Sequence, residues 1–208
     1  MKSRVNIGEN RALAPRDVKR LAVGGLFVAL MCVSAWIRIP LPTPIGVTYL
    51  TLQSAVALLV ALLLSPLEAL TVMSAYLALG LAGLPVFANP QFAGLGSLAS
   101  PTFGYLIGFL IGAPVGSLAL RWLSARGRGA SLEDAPRLID SLVAGWVVIA
   151  LVFVCGIAYS WAYARYLAGA PIAFASLVSL TTGVLLVKDI ALTGVIASVA
   201  LRLRMVVR

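Results

Sequence analysis

The sequence predicts an all-α membrane protein, a bundle of six transmembrane helices with both termini in the cytoplasm. Its 208 residues are 61% hydrophobic and only 11% charged, whereas a soluble domain carries about 25% charged residues. The apolar stretches are continuous rather than alternating, which favours helices over barrel strands. The predicted spans are residues 21–37, 48–64, 67–82, 101–120, 138–160 and 172–201.

The first span follows a basic segment, residues 1–20, and is interpreted as an uncleaved helix because no small-residue cleavage site ends it. Residues 48–83 are almost wholly apolar, and a single helix of that length would reach about 54 Å, far beyond a bilayer core of about 30 Å. The Ser65-Pro66 pair therefore divides this stretch into two short spans.

The last stretch is too long for a simple span, and two arrangements stay open. In one, residues 173–183 pack as a separate segment, the span begins near Val187, and Asp189 caps the new helix, where the helix dipole favours a carboxylate. In the other, a single tilted helix begins at Ala173 and carries Asp189 toward the bilayer midplane.

Basic residues fix the predicted orientation. The N-terminal segment holds six Lys or Arg residues, the 121–137 loop four and the 202–208 segment three, all on one side of a six-span arrangement. The positive-inside rule makes that side cytoplasmic. The expected organisation is therefore a cytoplasmic segment (1–20), one transmembrane domain (21–201) and a basic cytoplasmic end (202–208). The net charge of +9 marks this membrane face rather than a nucleic-acid partner.

Missing residue types exclude several chemistries. There is no histidine, which removes His-based catalysis and His-ligated metal sites. Cys32 and Cys155 lie inside apolar runs, where they are interpreted as small hydrophobes. No phosphate-binding G-x-x-x-x-G-K-[ST] motif is present, so the chain cannot hydrolyse ATP by the usual route. We expect a binding protein rather than an enzyme, with no cofactor or metal.

Two adjacent charges, Lys188 and Asp189, lie within the last apolar stretch. Each costs about 2.5 to 3.5 kcal/mol at the centre of a bilayer, so something must compensate for them. Adjacent helical residues project about 100° apart, and the two charges therefore need not pair. One interpretation is a polar ligand site; the structural alternatives are a neutralised pair, a Lys that snorkels to the interface or an Asp at a helix start.

Further polar groups are expected at the outer ends of the spans. The Gly- and Pro-rich loop of residues 83–100 contains Phe87 and Asn89 and is interpreted as a lid, with a plain connector as the alternative. The polar residues near the predicted outer ends are Thr48, Tyr49, Thr51, Gln53, Thr102 and Tyr105. Singly, each is typical of an interhelical hydrogen bond, and together they could converge on one site.

Four stretches are distinctive: 47–53 (VTYLTLQ), 62–66 (LLLSP), 76–88 (YLALGLAGLPVFA) and 100–109 (SPTFGYLIGF). With most of residues 21–201, they resemble the BioY family, the substrate-binding (S) components of energy-coupling factor (ECF) biotin transporters. The resemblance implies an S-component-like helical bundle in the bacterial inner membrane and an outward pocket for biotin. It also implies a separate transmembrane coupling subunit and cytoplasmic ATPases, although a homo-oligomer that works alone stays open.

The resemblance also implies roles for particular residues. Asp189 is expected to accept the ureido N–H groups of biotin, and Phe87 and Tyr105 to form walls. The remaining polar atoms of biotin are expected to bind the donors Lys188, Gln53, Asn89 and Thr102. Tyr49, at the predicted outer end of its span, is also expected to contact the substrate. Leu192 stands where the family has a Lys, and Lys188 is the candidate substitute. Gly25 and Ala29, spaced i, i+4 on the first helix, are expected to contact the coupling subunit.

Three other functions stay open. The chain could bind another small heterocyclic vitamin, or it could be a structural membrane subunit without a ligand. An intramembrane enzyme that uses Asp189 and Lys188 as acid and base is the third alternative.

Overall fold

Helices dominate the part of the chain that the structure describes, which comprises residues 15–43, 46–89, 94–126, 136–169 and 180–207 of a computed structural model. These ranges contain six α-helices, one β-hairpin and one 3-10 helix, in this order: α1 (Pro15–Trp36), β1 (Arg38–Thr43), β2 (Gly46–Thr51), α2 (Gln53–Leu63), α3 (Pro66–Leu81), the 3-10 helix (Gly94–Ala99), α4 (Phe103–Arg126), α5 (Leu138–Tyr166) and α6 (Leu180–Val207).

Four of the described helices, α1, α4, α5 and α6, are long and apolar enough to cross a membrane, with segments of 20, 24, 29 and 23 residues. The chain is therefore a multi-pass membrane protein, as predicted. Helices α2 and α3 have only 11 and 16 residues, which correspond to about 16 and 24 Å. They are thus shorter than the bilayer core of about 30 Å.

The predicted break at Ser65-Pro66 is confirmed. Ser65 is the N-cap of α3, where its hydroxyl accepts a hydrogen bond from the backbone N–H of Glu68 while the Glu68 carboxylate accepts one from the Ser65 N–H. Pro66 occupies the first turn, where no backbone donor is needed. This capping box ends one helix and starts the next within two residues.

The expectation of an all-α fold is wrong at the second span, which was placed at residues 48–64. Residues up to Thr51 form β2 and pair antiparallel with β1, with Arg38 opposite Thr51 and Pro40 opposite Tyr49. Pro40 and Pro42 in β1 disfavour a helix, because proline has no backbone N–H to donate. The residues between them keep their N–H groups and can still form hydrogen bonds with a neighbouring strand. Helix α2 therefore begins only at Gln53.

A helix start near Val187 is also wrong. Helix α6 already includes Leu180 and continues through Asp189 to Val207, so the Asp189 carboxylate is not an N-cap. The alternative start at Ala173 lies outside the described residues.

Side-chain contacts define the two ends of the bundle. At one end, called the Ser65 end, Arg20 Nε lies 3.4 Å from Glu68 Oε1 and the Arg204 guanidinium donates to the Leu62 carbonyl. At the other end, called the hairpin end, Trp36 Nε1 donates to the Pro85 carbonyl at 3.1 Å. The Ser160 hydroxyl likewise donates to the Pro101 carbonyl at 2.7 Å, which joins α5 to the start of α4.

Helix α2 runs through the middle of the core. Eight of its 11 residues are buried, and the first two of these, Gln53 and Ser54, are polar. Because α2 starts late, these two polar side chains lie inside the bundle just below the hairpin.

Candidate ligand-binding site

A cleft lies beneath the hairpin. Its volume is about 750 Å³ when the open solvent at its mouth is included. All eight residues predicted to bind substrate line it: Tyr49, Gln53, Phe87, Asn89, Thr102, Tyr105, Lys188 and Asp189. The fold thus brings together side chains from β2, α2, α4, α6 and the loop after α3.

The polar base of the cleft is a cluster around Asp189. The Asp189 carboxylate is 5% exposed, and its Oδ1 accepts a hydrogen bond from Ser54 Oγ at 2.6 Å. The ammonium nitrogen of Lys188 lies 2.7 Å from the same oxygen. That nitrogen also donates to Ser54 Oγ at 3.0 Å and to the Thr51 carbonyl at 2.9 Å.

The two charges therefore form a neutralised pair, whereas the sequence left them free to face different partners. The long, flexible side chain of Lys188 bends far enough to reach the carboxylate of its neighbour, although adjacent helical residues project in different directions. Ser54 is hydrogen-bonded to both charged groups. Pairing and hydrogen bonding together offset the desolvation of the buried carboxylate. The cluster also lines the cleft, so neutralisation and ligand access occur at the same place.

A chain of hydrogen bonds connects the cleft to the loop after α3. Gln53 Nε2 donates to the Tyr76 hydroxyl at 2.6 Å, and that hydroxyl donates to the Val86 carbonyl at 2.9 Å. Gln53 Oε1 accepts from Thr51 Oγ1 at 3.3 Å. These bonds hold the Gln53 amide in one orientation in the wall of the cleft.

A second polar group lines the side formed by the start of α4. Asn89 Nδ2 donates to Ser100 Oγ at 3.4 Å, and the hydroxyls of Ser100 and Thr102 are 2.9 Å apart. The 3-10 helix is held nearby, because the Tyr159 hydroxyl donates to the Leu98 carbonyl. This side therefore offers an amide and two hydroxyls to a ligand.

Aromatic rings form the walls. Phe87 packs edge-on against Tyr76 and Phe103, with ring centroids 5.6 and 6.5 Å away. The absence of a side chain at Gly80 makes room for the Phe87 ring, since a Cβ there would overlap it. Tyr105 packs edge-on against Phe153 at 5.9 Å.

Sequence reasoning missed several residues of the cleft. Ser54 is the most important of these, because it bridges Lys188 and Asp189; Phe153 adds to the walls. Serine in an apolar helix carries no motif, and the only signal was its position next to Gln53 at a predicted span end. Gly25 and Ala29 lie away from the cleft, on an exposed face of α1.

Buried charges, a polar base and aromatic walls under a loop together form a candidate solute-binding site in a multi-pass helical membrane protein. The chain belongs to the BioY family, whose model matches residues 3–208. This finding confirms the resemblance noted in the sequence.

Curated relatives agree with this assignment. The biotin transporter BioY of Thermotoga maritima is 42% identical over 97 residues, which cover 46% of this chain and 54% of that protein. The probable biotin transporter BioY of Lysinibacillus sphaericus is 38% identical over 103 residues, half of either chain. The probable biotin transporter BioY of Pyrococcus horikoshii is 33% identical over 132 residues, 64% of this chain and 75% of that one. The chain thus spans about half the length of the first two relatives.

A solved structure shares the fold. The crystal structure of the S-component for biotin from an ECF-type ABC transporter matches with a TM-score of 0.73 at 20% identity, over 93% of this chain and 95% of that one. The chain therefore has the predicted S-component-like helical bundle.

Proposed function

We propose that the chain binds biotin in the cleft beneath the hairpin and is the substrate-binding component of an ECF-type biotin transporter. The observation that carries this proposal is the buried cluster of Asp189, Lys188 and Ser54 at the base of an aromatic-walled cleft. The names of the relatives, which are biotin transporters, support the choice of ligand.

The chemistry of biotin suits this arrangement. The ureido ring needs a hydrogen-bond acceptor for its two N–H groups, and the Asp189 carboxylate supplies one. The sulfur-containing ring needs apolar walls, which Phe87 and Tyr105 provide. The donors for the ureido oxygen are the amides of Gln53 and Asn89 and the Thr102 hydroxyl. Tyr49, on β2 of the hairpin, also lines the cleft.

The orientation in the membrane follows from the charges at the two ends. The described basic residues at the Ser65 end are Arg16, Lys19, Arg20, Arg121, Arg126, Arg137, Arg202 and Arg204. The hairpin end has Arg38 and Arg165. The positive-inside rule therefore makes the Ser65 end cytoplasmic and opens the cleft outward.

Helices α2 and α3 are each too short to cross the membrane alone. If the hairpin lengthens α2 and the loop after α3 lengthens α3 enough for both to cross, the chain has six spans and both termini lie in the cytoplasm. Residues 21–201 would then form one transmembrane domain, and residues 1–20 and 202–208 would be cytoplasmic. Helix α1 begins at Pro15 and α6 ends at Val207, so the membrane helices would project beyond the bilayer on this side.

The proposed partners are a transmembrane coupling subunit and cytoplasmic ATPases in a bacterial inner membrane. Gly25 and Ala29 would form the contact with the coupling subunit, because both are exposed and a Cβ at Gly25 would meet no atom within 4 Å. This smooth face allows another helix to approach closely. A homo-oligomer is the alternative arrangement.

Equilibrium binding of biotin to the detergent-purified chain tests the function. A bound ligand stabilises the protein by RT ln(1 + [L]/Kd), or about 2.7 kcal/mol at a concentration of 100 Kd. We expect biotin to raise the melting temperature in a concentration-dependent manner and other heterocyclic vitamins to leave it unchanged. A shift with another vitamin alone would assign a different ligand, and no shift with any would contradict a ligand-binding role.

A further inference from the structure

We propose that Arg38, on the first strand of the hairpin, binds the carboxylate of the ligand at the mouth of the cleft and makes the site selective for the free acid. The proposal rests on the proposed function. It concerns the end of the ligand that the cluster around Asp189 does not reach.

The first step is that Lys188 has no donor left for a ligand carboxylate. An ammonium group has three N–H donors. In Lys188 these are directed at Asp189 Oδ1 at 2.7 Å, Ser54 Oγ at 3.0 Å and the Thr51 carbonyl at 2.9 Å. A ligand carboxylate at Lys188 would have to displace one of these partners and would lie next to the Asp189 carboxylate, which has the same charge.

The second step is that few other cations are near enough. Within residues 21–120 and 138–201 the sequence contains three cationic side chains, Arg38, Arg165 and Lys188. Arg165 stacks over Trp161 with its guanidinium carbon 5.9 Å from the ring centroid, and Trp161 does not line the cleft. Arg38 does not line the cleft itself, but both residues that it contacts, Tyr49 and Ala88, do. Elimination therefore leaves Arg38.

The third step is the position of Arg38. Its Nη1 donates to the Ala88 carbonyl at 2.5 Å, and its guanidinium carbon lies 5.4 Å from the centre of the Tyr49 ring. Ala88 and Tyr49 both line the cleft. The guanidinium is thus held between the hairpin and the loop after α3, on the rim, and it has four N–H donors besides the one on Ala88.

This placement gives the cleft two ends of different chemistry. A ligand whose polar ring sits against the acidic cluster would direct an acidic tail outward, toward the planar guanidinium, which suits a carboxylate. Because Arg38 is exposed, the gain is that of a solvated ion pair. We expect the free acid to lose about fivefold in affinity when the charge is removed, near the upper limit for an exposed pair.

The test compares biotin with its neutral primary amide on the full chain in detergent, for the wild type and for Arg38→Gln and Arg38→Lys variants. We expect Arg38→Gln to weaken biotin about fivefold and leave the amide unchanged, and Arg38→Lys to keep most of the preference for the acid. Arg165→Gln is the matched control, an exposed arginine over an aromatic ring at the same end, and should change neither affinity.

The outcomes are separable. If Arg38→Gln weakened the binding of the acid and of the amide equally, Arg38 would only anchor the loop through Ala88. If Arg38→Gln left the affinity for biotin unchanged, Arg38 would not contact the ligand. Either result would overturn the proposal. In the wild type, the preference for the acid should shrink as salt rises, because an exposed pair is screened, and a salt-independent preference would also overturn it. A wild type that binds neither compound would instead contradict the proposed function.

Discussion

Lys188 Nζ lies 2.7 Å from Asp189 Oδ1, although the two residues are neighbours on one helix. Ser54 on α2 makes this geometry stable, because its hydroxyl donates to the carboxylate and accepts from the ammonium group. The cleft therefore has a preorganised base before any ligand enters. Preorganisation lowers the ordering cost of binding.

The first prediction concerns the charge of Asp189. Asp189→Asn keeps the shape of the side chain but replaces a charged acceptor, so biotin affinity should fall at least about tenfold, since a hydrogen bond to a charged group contributes about 1.5 to 3 kcal/mol. Isothermal titration of the purified protein measures the change. Asp140→Asn at the Ser65 end, where Asp140 accepts from the Arg137 N–H, is the control and should bind normally. Unchanged affinity in Asp189→Asn would refute the assigned contact.

The second prediction concerns Ser54 in the ligand-free protein. Ser54→Ala removes one donor from the Asp189 carboxylate and one acceptor from the Lys188 ammonium group, so the melting temperature should fall by an amount equivalent to about 1 to 3 kcal/mol. Ser198→Ala removes a serine whose hydroxyl bonds the Gly194 carbonyl on the exposed side of α6, and it should change stability by less than about 0.5 kcal/mol. Equal melting temperatures for the two variants would mean that the cluster does not stabilise the fold.

Much of this architecture could be predicted from hydropathy and charge. The break at Ser65-Pro66 was predictable because a proline and a capping serine act locally. That the polar residues at the ends of the apolar spans converge on one cleft was likewise predictable, because polar groups avoid the surrounding lipid; their binding of a ligand stays a prediction. Pro40 and Pro42 alone indicate only a break between helices. They indicate a strand once the partner strand is known, and for this reason the hairpin could not be predicted from the sequence.

Other features depend on tertiary contacts that no local pattern encodes. The pairing of Lys188 with Asp189 depends on Ser54, which is 135 residues away from Asp189 in sequence. The start of α6 stays open in the sequence between Val187 and Ala173, because Asp189 in an apolar run is typical both of a helix N-terminus and of a buried site. The position of Arg38 on the rim follows from β pairing and was likewise invisible.

The third prediction concerns the space that Gly80 leaves for the Phe87 ring. Gly80→Ala would place a methyl group into the Phe87 ring, so the ring must move; we expect a loss of about 1 to 3 kcal/mol in stability and weaker biotin binding. Gly183→Ala on α6, where a Cβ meets no atom within 4 Å, should be neutral or slightly stabilising. Thermal unfolding with and without biotin measures the stability of both variants and the stabilisation that the ligand gives them. If Gly80→Ala kept full affinity, the Phe87 wall would not contribute to binding.

The fourth prediction separates binding from coupling. Gly25→Leu adds a bulky side chain to the exposed face of α1, far from the cleft, so biotin binding by the purified chain should be unchanged. Uptake of radiolabelled biotin by cells that also express the coupling subunit and ATPases should be lost, because the helices can no longer approach closely. Leu26→Ala, at a position already 59% exposed, removes bulk from α1 and should leave uptake intact. Normal uptake by Gly25→Leu would exclude this face as the contact.

The last prediction concerns orientation. In a background with Cys32→Ala and Cys155→Ala, single cysteines are introduced as Val47→Cys in the hairpin and Leu67→Cys beside the capping box, two positions that are 46% and 73% exposed. A membrane-impermeant maleimide should label the first variant in intact cells and the second only after permeabilisation, because the positive-inside rule predicts that the basic Ser65 end faces the cytoplasm. The reverse pattern would invert the topology and turn the mouth of the cleft inward, which is incompatible with capture of an external ligand. Labelling of both variants in intact cells would mean that the short α2–α3 pair does not cross the membrane.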